Sequence, residues 1–454
     1  MTLNTSAIHQ SFSPEAHHIQ TNKEKGPEYS PKDIQRLSIA LPIIRGQSQE
    51  EPPGRLLDIP LHPKETTKPL PKVKVRPLQN PHEIPHLPRF DQTPLDEEEN
   101  LDPYIILSID GGGMRGIIPA TILSRLEQEI EGQVSEAFDC LAGSSTGGIL
   151  ALGLSKASAT NPKSAQDSAS DLVDLYKSHG KEIFYRSSWE AASGLFGLIG
   201  PKYSDSGIER VFNEKFGDSK LNEAITDLVI TSFDEEQQED YLFTHFSRVD
   251  KHALDVPQGK ETEEDEQTYR IADVARATTA APYYFPSKGL ADCTFPSIHH
   301  NFIDGGLIAN NPAEWAYLES IQKRHLEKRK IFILSIGTGQ IRSEPISDKN
   351  SSKWGLLQWI PPLVNNYFEV MDDTVEKQLN LLSKNHNIAY MRLQLDLDKA
   401  FPMDNTNPKD IEKIEKLAND YFDQLLQDGL REKLIDPLRK KIHKKRSETQ
   451  KSDS

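Results

Sequence analysis

The sequence is poor in cysteine and has no long apolar run. Cys140 and Cys293 are the two cysteines among 454 residues, which excludes a disulfide framework and indicates a reducing compartment. No run of about 18 apolar residues is present, which excludes an ordinary transmembrane helix. Residues 1–14 lack the basic start and apolar centre of a secretory signal. We therefore expect a cytoplasmic protein, or one exported without a signal peptide, that meets membranes only at their surface.

Positive charge is scarce except near the C-terminal end. The chain has 53 Lys and Arg against 69 Asp and Glu, a formal net charge of −16, which argues against general nucleic-acid binding. Six basic residues nevertheless cluster near the end of the chain: Arg439, Lys440, Lys441, Lys444, Lys445 and Arg446. Such a cluster either meets anionic lipid head groups or is the solvated end of a helix.

Composition divides the chain into three regions. Residues 1–100 hold about half of the 30 prolines and show little apolar periodicity, which predicts a disordered or extended region. Residues 101–400 carry the apolar runs and glycine turns of a folded domain, and residues 401–454 predict a helical extension with a basic tail. Segments 189–201 and 354–364 are apolar, and each either faces lipid or packs against the core.

A serine lies at a predicted strand-to-helix turn. The apolar run Cys140–Ala142 leads into Gly143-Ser144-Ser145-Thr146-Gly147, and a second apolar run, Ile149–Leu152, follows. A serine at such an elbow points outward, and small flanking residues let the chain turn without clashes. The pattern makes Ser145 a candidate nucleophile, although a plain turn without chemistry has the same pattern.

A glycine loop precedes this elbow. Tyr104–Ile109 predicts a buried strand, Asp110-Gly111-Gly112-Gly113-Met114-Arg115-Gly116 follows, and Ile117–Ile130 predicts a helix. A strand, glycine loop and helix start present free N–H groups to an anion. The same glycines spell a dinucleotide-binding motif, which needs an acidic residue at the end of a second strand about 20 residues on. That distance falls at Glu129 and Glu131, in or just after the helix, so the dinucleotide interpretation is the weaker one.

A carboxylate is available to act as a base. Phe302-Ile303 is apolar and ends in Asp304-Gly305-Gly306. An Asp-Gly turn needs no chemistry, but an ester hydrolase with a serine nucleophile needs a proton acceptor. An ordinary Asp is a weak base, with a pKa of about 3.9, and desolvation would strengthen it. A Ser-His-Asp triad using His299 or His300 is the competing arrangement.

These motifs resemble those of the patatin-like phospholipases. The resemblance rests on Ile106–Gly116, Gly143–Gly147 and Asp304–Pro312, with further matches at Lys202–Ser204, Asp227–Thr231, Ala275–Phe285 and Leu334–Gly339. It covers roughly residues 103–400. The resemblance implies an α/β fold of three layers, with a mainly parallel central sheet between helices.

The resemblance also implies the site. Ser145 would be the nucleophile and Asp304 its partner in a Ser–Asp dyad, with no metal or other cofactor. The implied oxyanion hole comprises Gly111, Gly112, Gly113, Arg115 and Gly116.

The implied function is lipid acyl hydrolysis of the phospholipase A type through an acyl-enzyme. A phospholipid or another acyl lipid would be the substrate, and the enzyme would meet membranes peripherally. Some bacterial members of this family are injected effectors that need a host cofactor, and others are switched on by cyclic nucleotides, so a protein or cyclic-nucleotide activator is an open expectation. The alternative is a lipid-binding or interaction protein with little hydrolysis.

Overall fold

The protein's computed structural model describes residues 102–186, 200–246, 268–326, 329–340, 352, 354–384, 387–399 and 401–452. All of them belong to one unit of the chain, Pro71–Ser454. The predicted proline-rich region 1–100 and most of the apolar segment 189–201 lie outside the described residues.

Within the described residues, eight strands form a single sheet. They are β1 (Tyr104–Ile109), β2 (Cys140–Ser144), β3 (Asp227–Asp234), β4 (Glu239–His245), β5 (Lys288–Ala291), β6 (His299–Asp304), β7 (Ile331–Ile336) and β8 (Ile388–Leu393). The order is β5-β6-β3-β2-β1-β7-β8, and β4 pairs with β3. The run from β3 to β8 is parallel, whereas β4, β5 and β6 are antiparallel to their neighbours.

Helices cover both faces of this sheet. They are α1 (Ile117–Ile130), α2 (Val134–Ala137), α3 (Thr146–Ser155), α4 (Ala169–Ile183), α5 (Asp205–Phe216), α6 (Ile271–Thr278), α7 (Gly306–Ala309), α8 (Ala313–Arg324), α9 (Leu356–Leu382), α10 (Pro408–Gln427) and α11 (Asp436–Ser452). Alternate residues of β1 enter two different cores: Leu107 packs with α1, whereas Ile106 packs with residues of α8 and α9. Both faces of the strand are apolar because both are buried. The predicted α/β class with a mainly parallel central sheet between helices is confirmed.

One edge of β3 is shared by two strands, and this sharing positions the site. Strand β4 pairs with β3 over Leu228–Asp234, so β2 and β6 must lie along the opposite edge. Strand β2 pairs with the first part of β3, ending with Ser144 opposite Thr231. Strand β6 runs the other way and ends with Asp304 opposite Ser232. The carboxyl ends of β2 and β6 therefore meet.

The C-terminal helices share the core of the domain. Apolar residues of α10 and α11, such as Phe422 and Ile442, belong to the same buried cluster as those of α1. Most of the predicted basic cluster is engaged within the chain. Its ion pairs join Lys441 and Lys445 to Asp139, Arg446 to Glu136, Lys444 to Asp102 and Arg439 to Glu131. These side chains therefore hold α11 against the segments that lead into β1 and β2.

We expect Lys441→Met to destabilise the fold. Lys441 is 9% exposed and pairs with Asp139, whose carboxylate also accepts the Ile105 N–H at 2.9 Å. Removing a charged hydrogen-bond partner from a covered carboxylate costs about 2 kcal/mol. Urea unfolding monitored by circular dichroism would measure the loss. The matched control is Lys440→Met, since Lys440 is exposed; equal stability of the two variants would show that the pair contributes nothing.

Candidate active site

Ser145 sits at a strained turn between β2 and α3. Its backbone has φ 51° and ψ −120°, a conformation that costs a non-glycine residue energy and persists only where neighbours enforce it. Two of these neighbours are glycines, because a Cβ on Gly143 would overlap the Gly147 carbonyl and a Cβ on Gly147 would overlap that of Ile109. The Ser145 N–H donates to Thr278 Oγ1 at 2.9 Å. The predicted elbow is thus present, with Ser145 at its apex.

Ser145 contacts Asp304 directly. Ser145 Oγ donates to Asp304 Oδ2 at 2.6 Å, although the two residues lie 159 positions apart in sequence. The other carboxylate oxygen, Oδ1, accepts the N–H of Gly306 at 2.8 Å. The Asp304 backbone N–H donates to the Ala280 carbonyl at 3.1 Å. Both ends of the carboxylate are therefore fixed, with one oxygen aimed at the hydroxyl.

The surroundings of Asp304 make it a stronger base than an ordinary aspartate. The residue is 6% exposed, and in the described part of the chain no cation pairs with it. Burial raises the pKa of Asp304 to about 6, against the opposing hydrogen bonds from Ser145 and Gly306. Desolvation without a positive partner is the physical cause. The carboxylate is therefore charged near neutral pH and able to accept a proton.

The glycine loop follows β1 and lies beside the elbow, since a Cβ on Gly111 would lie 3.2 Å from the Cβ of Ser145. Gly113 has φ +60°, which favours glycine. In the described part of the chain, the N–H groups of Gly112 and Gly113 have no hydrogen-bond partner. The N–H of Gly111, in contrast, donates to the Asn310 carbonyl at 3.1 Å. Gly111 was expected to supply an oxyanion donor, but its N–H is already engaged and anchors the loop.

The other two residues predicted for the oxyanion pocket lie beside the loop. Arg115 Nη1 donates to the Gly339 carbonyl at 3.2 Å. Gly116 packs so closely that a Cβ would lie 2.5 Å from the Tyr176 hydroxyl. In this conformation Arg115 therefore points one donor at Gly339, and Gly116 allows close packing where the loop enters α1.

The dinucleotide interpretation of the glycine loop lacks its acidic partner. Glu129 lies in the last turn of α1, and Glu131 follows as its left-handed C-cap. A helix of 14 residues spans about 21 Å, so both carboxylates are separated from the loop by the length of α1. Strand β2 ends instead in the Ser145 elbow.

The two histidines considered for a triad are placed elsewhere. His300 is held through both ring nitrogens, Nδ1 by Asp234 at 2.5 Å and Nε2 by Asp292 at 3.2 Å. It precedes Asp304 by four residues of β6, a distance of about 13 Å along a strand. His299 is exposed at the start of β6. The described contacts of Ser145 therefore include Asp304 and neither histidine.

Two further residues of this site, Thr278 and Asn310, have no role that the sequence motifs predict. Thr278 Oγ1 accepts the Ser145 N–H and donates to the Thr231 carbonyl at 2.7 Å. Asn310 bonds to the glycine loop through its backbone. Both occur in segments that match the family motifs.

Most of the predicted apolar segment 354–364 forms the beginning of α9, which starts at Leu356. Farther along this helix, Tyr367 is 43% exposed and Val370 is 62% exposed. The next residue after Tyr367, Phe368, faces the site, since a Cβ on Gly306 would lie 3.6 Å from its ring. Among the described helices, none combines the length and apolar character that crossing a bilayer requires.

Two solved structures show a weak overall likeness to this chain. The match to VipD from Legionella pneumophila covers 72% of this chain and 67% of the VipD chain, with 12% sequence identity and a TM-score of 0.34. The match to human GIVD cytosolic phospholipase A2 covers 76% of this chain and 62% of the phospholipase chain, with 11% sequence identity and a TM-score of 0.35. Both scores lie below 0.5, so these likenesses carry no weight for the fold or the activity.

The sequence comparisons are more decisive. The profile of the family described as Patatin-like phospholipase matches residues 107–317. Patatin-like protein 3 of Arabidopsis thaliana is 31% identical over 61% of this chain and 70% of its own length. Patatin-like protein 2 of the same plant is 32% identical over 64% of this chain and 75% of its own length. Patatin-like protein 2 of Oryza sativa subsp. indica is 29% identical over 72% of this chain and 85% of its own length. The chain belongs to the patatin-like phospholipase family.

Proposed function

We propose that this protein is a lipid acyl hydrolase of the phospholipase A type, which cleaves fatty-acyl esters through Ser145 and Asp304. Family membership supports lipid acyl hydrolysis. The observation that carries the residue assignment is the 2.6 Å hydrogen bond from Ser145 Oγ to Asp304 Oδ2. A serine hydroxyl becomes nucleophilic when a base within hydrogen-bond reach takes its proton during attack.

In the first half-reaction, Ser145 Oγ bonds to the ester carbon while its proton passes to Asp304 Oδ2. The carbonyl oxygen becomes an oxyanion, and the N–H groups of Gly112 and Gly113 are the donors proposed to stabilise it. Collapse of this intermediate breaks the ester carbon–oxygen bond. The departing alkoxide takes the proton from Asp304, which leaves an acyl group on Ser145.

In the second half-reaction, water replaces the alcohol. It gives a proton to Asp304 as it attacks the acyl carbon, and a second oxyanion forms against the same donors. Collapse releases the fatty acid, and the proton on Asp304 returns to Ser145 Oγ. This chemistry uses protein groups alone, with no metal or other cofactor.

The proposed substrate is an acyl lipid presented at a membrane surface. Tyr367 and Val370 expose apolar surface on α9, and Phe368 between them lies beside Gly306. Apolar side chains next to the dyad suit an acyl chain arriving from lipid. This adjacency supports peripheral membrane contact through α9.

Ser145→Ala and Asp304→Asn test the dyad. We expect each to lower turnover of a chromogenic fatty-acyl ester by at least about 10⁴-fold, because a nucleophile and its base act as a unit. The double variant should be no worse than the more damaged single variant. Circular dichroism would establish that all three variants remain folded.

His300→Asn is the matched control, since its ring bonds Asp234 and Asp292. It should retain turnover under conditions where it stays folded. Loss of activity in a folded His300 variant, together with a mild Asp304→Asn, would replace the dyad with a histidine-based triad. A wild-type protein that binds phospholipid vesicles without hydrolysis would favour the lipid-binding alternative. Activity restored by eukaryotic lysate or cyclic nucleotides would reveal an activator.

The pH dependence should report the protonation of Asp304. The base works in its deprotonated form, and its pKa is about 6. Below that value kcat/KM should fall about tenfold per pH unit, and above it the profile should level off. Initial rates between about pH 4.5 and 8, with each sample read after alkaline quenching, would give the profile. If kcat/KM instead fell only below about pH 4, the ordinary pKa of an aspartate, burial would not be raising the pKa of Asp304.

Gly112→Ala should lower turnover by about 10² to 10³-fold, the cost of losing one oxyanion donor. A Cβ at this position would lie 2.6 Å from the Cβ of the buried Thr338, so the loop must shift. Gly289→Ala is the control, because its nearest neighbour would be the His300 carbonyl oxygen at 4.0 Å. Normal turnover in a folded Gly112→Ala protein would remove this loop from the oxyanion assignment.

A further inference from the structure

A polar cluster behind the glycine loop takes no part in the proposed chemistry. At its centre, Asn310 follows α7 and makes two kinds of contact. Its backbone carbonyl accepts the Gly111 N–H at 3.1 Å. Its side-chain Nδ2 donates to the two carboxylate oxygens of Asp372 at 3.3 and 3.2 Å. One residue thus joins the glycine loop to helix α9.

The Asn310 side chain also lies against both catalytic loops. A Cβ on Gly111 would approach Asn310 Oδ1 to 2.6 Å, and a Cβ on Gly306 would approach it to 3.4 Å. Gly306 is the residue whose N–H holds Asp304. A shift of the Asn310 side chain would therefore displace both the loop that holds Asp304 and the glycine loop.

Asp372 is placed to hold this amide, and within the described residues its nearest cation is Arg392. Its side chain is 20% exposed and lies 4.0 Å from Arg392 Nη2. Arg392 itself is committed to Asp110, with an Nη1 to Oδ1 distance of 2.9 Å. The charged groups facing Asp372 are thus Asp110, Arg392 and Arg115. Burial, together with the Asp110 charge, raises the pKa of Asp372 to about 7 despite these cations.

We propose that Asp372 and Asn310 are positioning residues for acyl hydrolysis: Asp372 of α9 holds the Asn310 amide, and Asn310 holds the oxyanion loop in register with Asp304. This inference rests on the proposed function. It assigns α9 a part in the geometry of catalysis, although neither residue touches the reacting atoms.

Asp372→Ala should lower kcat on a soluble chromogenic ester by about 10- to 100-fold, the cost of misplacing catalytic groups, while KM changes less than about twofold. Asp372→Asn should restore most of kcat, since its amide oxygen still accepts from Asn310. Asn310→Ala should match Asp372→Ala, and the double variant should add little because the two residues act through one contact. The matched control is Asp373→Ala, which alters the next residue of α9, where the side chain is 66% exposed.

Thermal unfolding of each variant separates misfolding from mispositioning. If Asp372→Ala fails to fold, Asp372→Asn and Asn310→Ala still decide the question. Wild-type kcat in a folded Asn310→Ala or Asp372→Ala protein overturns the proposal, and so does an Asp372→Asn variant as impaired as Asp372→Ala. A loss expressed in KM alone also overturns it. Inactivity of the wild-type protein on every ester, with eukaryotic lysate and cyclic nucleotides added in turn, would refute the proposed function instead, which keeps the two failures distinguishable.

Discussion

The position of the site depends on how two strands, β2 and β6, share one edge of β3. Strand β2 takes the first part of that edge and β6 takes the last part, from opposite directions. Two chain segments 159 positions apart consequently end at neighbouring residues of the same strand. Sheet register is rigid because a slip of one residue would turn every side chain to the other face. The short contact between Ser145 and Asp304 is therefore set by backbone pairing, before any side chain is adjusted.

The strained turn at Ser145 belongs to the same arrangement. A non-glycine residue at φ 51° is held there only if the chain on both sides has nowhere else to go. Gly143 and Gly147 let the backbone segments touch, and Thr278 links the Ser145 N–H to the β3 carbonyl of Thr231. The strand that aligns Ser145 with Asp304 thus also secures the elbow.

Sequence reasoning located the elbow, the glycine loop and Asp304 because each is a short motif whose geometry follows from its own residues. It could not foresee that the Gly111 N–H is taken by Asn310, since that bond joins segments about 200 residues apart whose meeting depends on the whole sheet. The basic C-terminal cluster shows the same limit. Its composition fits a lipid surface or a solvated helix end, whereas the structure pairs Lys441 with Asp139, the residue that precedes β2. In segment 354–364, the side chains from residue 356 onward lie outside the described residues.

A dyad without histidine requires that charges be kept apart. Asp304 can serve as a base near neutral pH only if it is buried without a cation, because a paired cation would lower its pKa by one to three units, on the order of the rise that burial provides. The cations nearest the glycine loop are each engaged elsewhere, Arg392 with Asp110 and Arg115 with the Gly339 carbonyl. Asp372 adds a carboxylate on the same side. Among the described residues these cations are thus neutralised or engaged away from Asp304, which is buried without a paired cation. That isolation is what would allow an aspartate to do the work of a histidine in the proposed reaction.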